Sequence, residues 1–146
     1  MLGDMSESEP VRFDTKVAIL VRDDLLPWQE LNVTAFLVSG IATSEQDLVG
    51  EPYEDADGVG YLPMLRQPIL VYSAGAAVMS AARSKAVERE LAVAVYTREL
   101  FATSHDAANR AAVRAVASDR LDLVGVGLRG PRNLVDRIIK GARMHP

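Results

Sequence analysis

Four short apolar runs set the rhythm of the chain: residues 16–21 (KVAILV), 69–72 (ILVY), 91–96 (LAVAVY) and 121–128 (LDLVGVGL). Runs of this length and β-branched content, with little polar alternation, suit strands buried on both faces. The segments between them carry helical signals. Pro27 fits the first turn of a helix, where its missing N–H costs nothing, and predicts one over 28–41. An alanine-rich and then charged stretch predicts a second over 75–90. Thr103, with Asp106 three residues on, has the spacing of a capping box and predicts a third helix reaching Ala117. Pro131 opens a fourth, which Gly141 can close. Asp57-Gly58 between Tyr53 and Tyr61 predicts a short β-hairpin insertion, which argues against a purely parallel sheet. Strands alternating with helices predict an α/β fold, a three-layer α/β/α domain with a mixed sheet.

The first helix departs from the usual one-sided stripe. Trp28, Leu31, Ala35 and Val38 make one apolar face, while Val33, Phe36, Leu37 and Ile41 fill much of the other. A helix that is apolar nearly all round has to be covered on both sides. The domain wraps it or a second subunit does, and a homodimer is the expectation. Residues 1–14 lack periodicity and predict a mobile N-terminal tail, leaving 15–146 as a single domain.

Composition narrows the chemistry. There is no cysteine, which excludes disulfides and thiol catalysis, and there are two histidines. With so few soft ligands no metal site and no cofactor are expected. The N-terminus is acidic, unlike a secretory leader, and no run approaches the roughly 20 apolar residues of a spanning helix. A cytoplasmic protein without membrane contact is the expectation. The net charge of −4 argues against broad contact with nucleic acid, whose affinity rests on neutralised phosphates.

Several constellations invite a functional reading. Gly125, Gly127 and Gly130 match G-x-G-x-x-G between a strand and a helix. The acidic residue that should follow about 20 positions later is absent, because the chain ends first, so packing is the better account. Arg129 and Arg132 flank the next helix start and are a candidate site for one anion, or two solvated arginines. His105 sits in the first turn of a predicted helix, where it could polarise or abstract, or simply face water beside the helix cap; His145, next to last, reads as solvated. Glu51, Glu54, Asp55 and Asp57 cluster at the hairpin and read as solvated turn residues rather than a divalent-ion site. No G-x-S-x-G signature is present. The stretch RDDLLPWQ places three charges and the only tryptophan at the mouth of a strand–helix junction, where α/β proteins often build sites.

KVAILVRDDL followed by an apolar helix resembles the opening of type-2 peptidyl-tRNA hydrolases, and VGVGLRGPRNLVDRIIKGARM is similar to their closing strand and helix. From about Phe13 to Pro146 the chain resembles more closely a bacterial family called domain of unknown function two thousand. RDDLLPWQELNVTAFL, GEPYEDADG, YLPM, YTRELFATSHDAANRAA and DRIIKGARMHP carry that likeness. The resemblance implies the hydrolase fold, a mixed sheet between helical layers. It does not imply the hydrolase chemistry. The hydrolases carry Gly-Lys-x-Ala-Ala-Gln on the first helix, where this chain has LNVTAF, with Asn32 at the lysine and Phe36 at the glutamine. Their later Asp-Ala-Gly-x-Thr-Gln loop is replaced by ELFATSHDAANRAA, which inserts a helix.

That resemblance puts a cleft at the corner of the first strand and first helix. The candidate ligand pocket is then Arg22, Asp24, Trp28, Gln29 and Asn32 on one side, with Thr103, His105 and Asn109 facing them. Neutral amides and an aromatic wall suit a small polar ligand better than a polyanion. The competing readings are a hydrolase of peptidyl- or aminoacyl-tRNA esters and a non-catalytic interaction module working through the first helix.

Overall fold

The computed structural model describes residues 10–146, so the first nine residues of the predicted tail lie outside the described residues. The elements are β1 (Thr15–Arg22), α1 (Pro27–Ala42), β2 (Tyr53–Glu54), β3 (Gly60–Tyr61), β4 (Ile69–Ala74), α2 (Ala76–Glu88), β5 (Ala92–Thr97), α3 (Asp106–Arg114), β6 (Leu123–Pro131), α4 (Arg132–Ile138) and β7 (Arg143–Met144). All four predicted runs enter one five-stranded sheet of order β5-β6-β1-β4-β7. β1 lies parallel to β4, whereas β6 runs antiparallel to β1 and β5, and β7 antiparallel to β4. The fold is mixed α/β.

The hairpin forms as expected, with Tyr53 opposite Tyr61 and Gly58 at φ +84° in the turn. Only glycine takes that conformation without strain. It is a separate two-stranded sheet, however, and the mixed character comes from β6 and β7 instead.

Alternation along β1 divides the core in two. Val17, Ile19 and Val21 face Val33, Leu37 and Ile41 of α1. Ala18 and Leu20 face Met79, Ala82 and Ala86 of α2 and Val135 and Ile138 of α4. Being third in order, β1 has strands on both edges and helices on both faces, and Val17 through Val21 are wholly buried. Burying one Leu or Ile side chain contributes about 1.5–3 kcal/mol.

The G-x-G of β6 is a packing device. A Cβ on Gly125 would lie 2.8 Å from Leu37 Cδ1 and overlap Val33, and one on Gly127 would lie 3.3 Å from Leu37 Cβ. The absent side chains let α1 settle onto the sheet. Only one stripe of α1 is buried by the chain itself: Leu31 is 74% exposed, and Leu26, Trp28 and Phe36 are each more than half exposed.

The last helix stops at Ile138, three residues before Gly141, and the chain folds back as β7 onto the outer edge of β4. This covers an edge that would otherwise present unpaired backbone groups. The expectation of a solvated His145 is therefore corrected. Its backbone N–H donates to the Val71 carbonyl (3.0 Å), and its ring Nε2 lies 2.6 Å from Glu30 Oε2 on α1. The Glu30 carboxylate, with a lesser contribution from the Pro146 carbonyl, raises the imidazole above its ordinary 6.5. A raised folded-state value makes the pair contribute fully below the unfolded value and lose its contribution as pH rises through the folded value. The melting temperature of the wild type should thus exceed that of His145→Ala by more at about pH 5.5 than at about pH 8.5, by the equivalent of under about 1 kcal/mol. A gap independent of pH, in urea or thermal melts, would refute the charged pair.

Candidate functional site

The charged triplet after β1 is used in structure. Arg22 donates to the Leu123 carbonyl (2.6 Å) and approaches Asp122 (3.4 Å). Arg98, just past β5, pairs with Asp24 (3.1 Å) and Asp122 (3.2 Å). These four side chains tie together the ends of β1 and β5 and the start of β6. Asp23 turns away, its backbone N–H donating to Ala74.

Gln29 is used as well. Its Oε1 accepts the Leu26 N–H at 2.9 Å, closing the first turn of α1 where no side chain of Leu26 can cap. Arg22, Asp24 and Gln29 accordingly do not line the cleft beside them. The other five candidates do: Trp28, Asn32, Thr103, His105 and Asn109 surround an open cavity of about 280 Å³.

A defect in the sheet precedes that cavity. Tyr96 pairs with Gly125 but Thr97 pairs with Leu123, which leaves Val124 as a bulge residue on β6. Bulges re-aim neighbouring side chains and recur next to sites. Beyond it, residues Arg98–Ala102 form a 3-10 turn that buries Leu100 and carries Phe101 up against Trp28. A row of rings results: Trp28 to Phe101 at 5.8 Å, edge-on, Phe101 to Tyr96 at 5.2 Å, and Tyr96 to Phe36 at 5.9 Å. Offset and edge contacts of this kind are favourable beyond the area they bury.

Tyr96 carries the polar function of that row. Burial pushes its phenol above the ordinary 10.0, so it stays a hydrogen-bond donor, and its hydroxyl points at Asn32 Oδ1, 3.4 Å away. The Asn32 amide nitrogen has no hydrogen-bond partner among the described residues.

The predicted cap of the third helix shifts by two residues. Thr103 has extended backbone, and its hydroxyl donates to the Leu100 carbonyl (2.9 Å) and meets the Asn109 side-chain amide. His105 is the N-cap instead, its Nδ1 accepting the Ala108 N–H at 3.2 Å. The 3-10 turn consumes the residues that would have let Thr103 cap. In the neutral ring the proton then sits on Nε2, which is left as a donor. The helix also ends at Arg114, short of Ala117, and a second 3-10 turn (Ser118–Arg120) leads into β6.

The cleft therefore offers an aromatic wall, two amides, the hydroxyls of Tyr96, Thr103 and Ser104 and one imidazole donor, with Asp106 held by Arg110 on the next turn of α3. It is equipped to orient a small uncharged polar group. Tyr96 and Phe101 were missed from the sequence; an aromatic closing a buried strand, with a second one five residues on, is the signal that could have found them.

The two arginines of the candidate anion site have separate partners. Arg129 reaches toward Glu45 (3.8 Å), and Arg132 Nε donates to the Phe13 carbonyl (3.2 Å). In the hairpin the Asp55 carboxylate accepts from Tyr61 Oη (2.7 Å) and from the Asp57 and Val59 N–H groups. Among the described residues no group of three metal-binding side chains converges, and no helix is long and apolar enough to cross a membrane.

No curated protein matches the chain. A solved structure of a protein of unknown function from Agrobacterium tumefaciens strain C58, Atu0240, is similar at 44% identity and a TM-score of 0.89, covering 92% of this chain and 100% of that one. The family described as Protein of unknown function (DUF2000) matches residues 15–146, and this chain belongs to it.

Proposed function

We propose that this protein is a cytoplasmic, homodimeric binder or converter of a small polar molecule, built on a peptidyl-tRNA hydrolase II-like scaffold whose hydrolase chemistry has been lost. The observation that carries the reading is the meeting of Asn32, Thr103, His105 and Asn109 with the Trp28–Phe101 wall around one cavity. Side chains from α1, from the loop after β5 and from α3 come together there, although the sequence separates Trp28 from Asn109 by 81 positions (109 − 28). A few convergent polar groups against apolar walls is the usual make-up of a small-molecule site. Support for the scaffold comes from the mixed sheet between helical layers and the paired blocks β1–α1 and β6–α4.

Support for the dimer comes from the outward side of α1. Leu31 is 74% exposed and Leu26, just before the helix, 57% exposed, and neither lines the cleft. The same surface favours the interaction-module reading, which differs in leaving the cleft empty.

Native mass spectrometry of the purified protein addresses both points. The expected spectrum shows a dimer carrying a small molecule whose occupancy falls at least about tenfold in Asn32→Ala and His105→Ala, because each removes a directed hydrogen bond from an otherwise apolar site. A bare chain, together with a metabolite panel in which no compound shifts the melting temperature, would leave the binding reading without support.

A further inference from the structure

We propose that the ligand is an organic carboxylate with a flat apolar body, because the cleft continues past Tyr96 into a larger compartment with a cation at its rim; this rests on the small-molecule reading above. The second cavity, about 590 Å³, lies between α1, β5 and α3 and shares Phe36, Tyr96, Leu100, Asp106 and Asn109 with the first. Its size falls within the range of roughly 300–1,000 Å³ that holds small ligands.

The space exists because the elements around it are small where they meet. α1 contributes Ser39 and Gly40, and β5 contributes Ala94. Val95 packs into the opposite core, so what it lends this cavity is the backbone of the sheet's outer strand. No residue of α3 is fully buried, and Val113 closes the far side only in part. The body of the cavity is thus apolar, with aromatic rings along one wall.

The charges sit on α3. Asp106 and Arg110 neutralise each other one turn apart. Arg114, a further turn along, has no ion-pair partner among the described residues and leaves one uncompensated positive charge beside an apolar hollow. A guanidinium there recognises a carboxylate by charge-assisted hydrogen bonds. A ligand spanning both compartments would place its acid at Arg114, its apolar body against Phe36 and Tyr96, and its other polar group near Asn32 and His105.

Isothermal titration at low ionic strength, where a rim charge is least screened, tests this with three probes: 3-phenylpropanoate, 3-phenylpropan-1-ol and 3-phenylpropylamine. The carboxylate should bind roughly three- to tenfold tighter than the alcohol, and the amine more weakly than either. Arg114→Gln should erase that order with no change in melting temperature, and Arg114→Lys should restore part of it. Val113→Trp, which fills the compartment, should weaken all three. Equal affinities for acid and alcohol in the wild type, the order persisting in Arg114→Gln, or binding untouched by Val113→Trp in a folded variant would each overturn the proposal. So would failure of all three probes to bind. A metabolite sensitive to Asn32→Ala but indifferent to Arg114→Gln and Val113→Trp would overturn it while leaving the small-molecule reading intact.

Discussion

Gly125→Val should abolish folding or lower the urea midpoint so far that little native protein remains, and Gly125→Ala should already cost about 1–3 kcal/mol. A Cβ at this position lies 2.8 Å from Leu37 Cδ1 and inside the Val33 side chain, and both partners are fully buried on α1. Neither can swing out to solvent, so relief requires α1 to lift from the strand and open the Val33–Leu37–Ile41 seam. Total stability for a domain of this size is only about 5–15 kcal/mol, so such a displacement is a large fraction of it. Gly127→Ala meets Ile19 Cδ1, the tip of a side chain, at 3.1 Å and should cost less. The pairing of Gly125→Ala with Val33→Ala makes the argument specific. If the collision is the cause, the double variant should be more stable than the sum of the two single changes predicts. Strict additivity, or a Gly125→Ala midpoint equal to wild type, would return the glycines to some other role.

N-blocked aminoacyl-tRNA should show no turnover above background even at high enzyme concentration. On the proposed scaffold, the helix-borne lysine and glutamine of the type-2 hydrolases correspond to Asn32 and Phe36. Asn32 supplies no charge, and its Oδ1 faces the Tyr96 hydroxyl. Phe36 supplies no hydrogen bond and stacks on Tyr96 instead. Each well-placed electrostatic donor is worth about 10²–10³ in rate, so losing two leaves little of the original enhancement. On that scaffold, residues 99–112 would stand in place of the hydrolase loop, and they bring Phe101, Thr103, His105 and Asn109 to the cleft instead. Robust cleavage that disappears in Asn32→Ala or His105→Ala would mean that the cavity runs an ester chemistry of its own, and the small-polar-ligand proposal would fall.

The layered α/β architecture was legible from the sequence because its strands are apolar runs, wholly buried in β1 and at least half-buried along most of β4 and β5. VAILV is wholly buried, and ILVY and LAVAVY send most of their residues alternately into the two cores, with Ile69 the exposed exception, so the apolar signal survives without knowledge of the partners. The hairpin was equally local, a property of Asp57-Gly58 and the two flanking tyrosines. The resemblance put the cleft at the β1–α1 corner; the cavity lies instead between α1, the end of β5 and α3, with no residue of β1 in its lining, and Trp28, Asn32, Thr103, His105 and Asn109 meet around it. What failed was everything decided by competition between equally plausible local partners. Thr103 and His105 are both competent caps, and only the preceding 3-10 turn selects His105. Arg22 and Asp24 look like site residues until Arg98 and Asp122, at least 74 positions away, claim them. The aromatic row from Phe36 to Trp28 joins α1 to the end of β5 and appears in no local pattern. His145 acquires its partner only when β7 docks on β4 beside Glu30. Burial pattern and turn chemistry act through near neighbours in the chain and so can be read from it. Ion pairs, ring stacking and the choice between caps depend on distances between remote segments, which only the packed sheet and its helices determine.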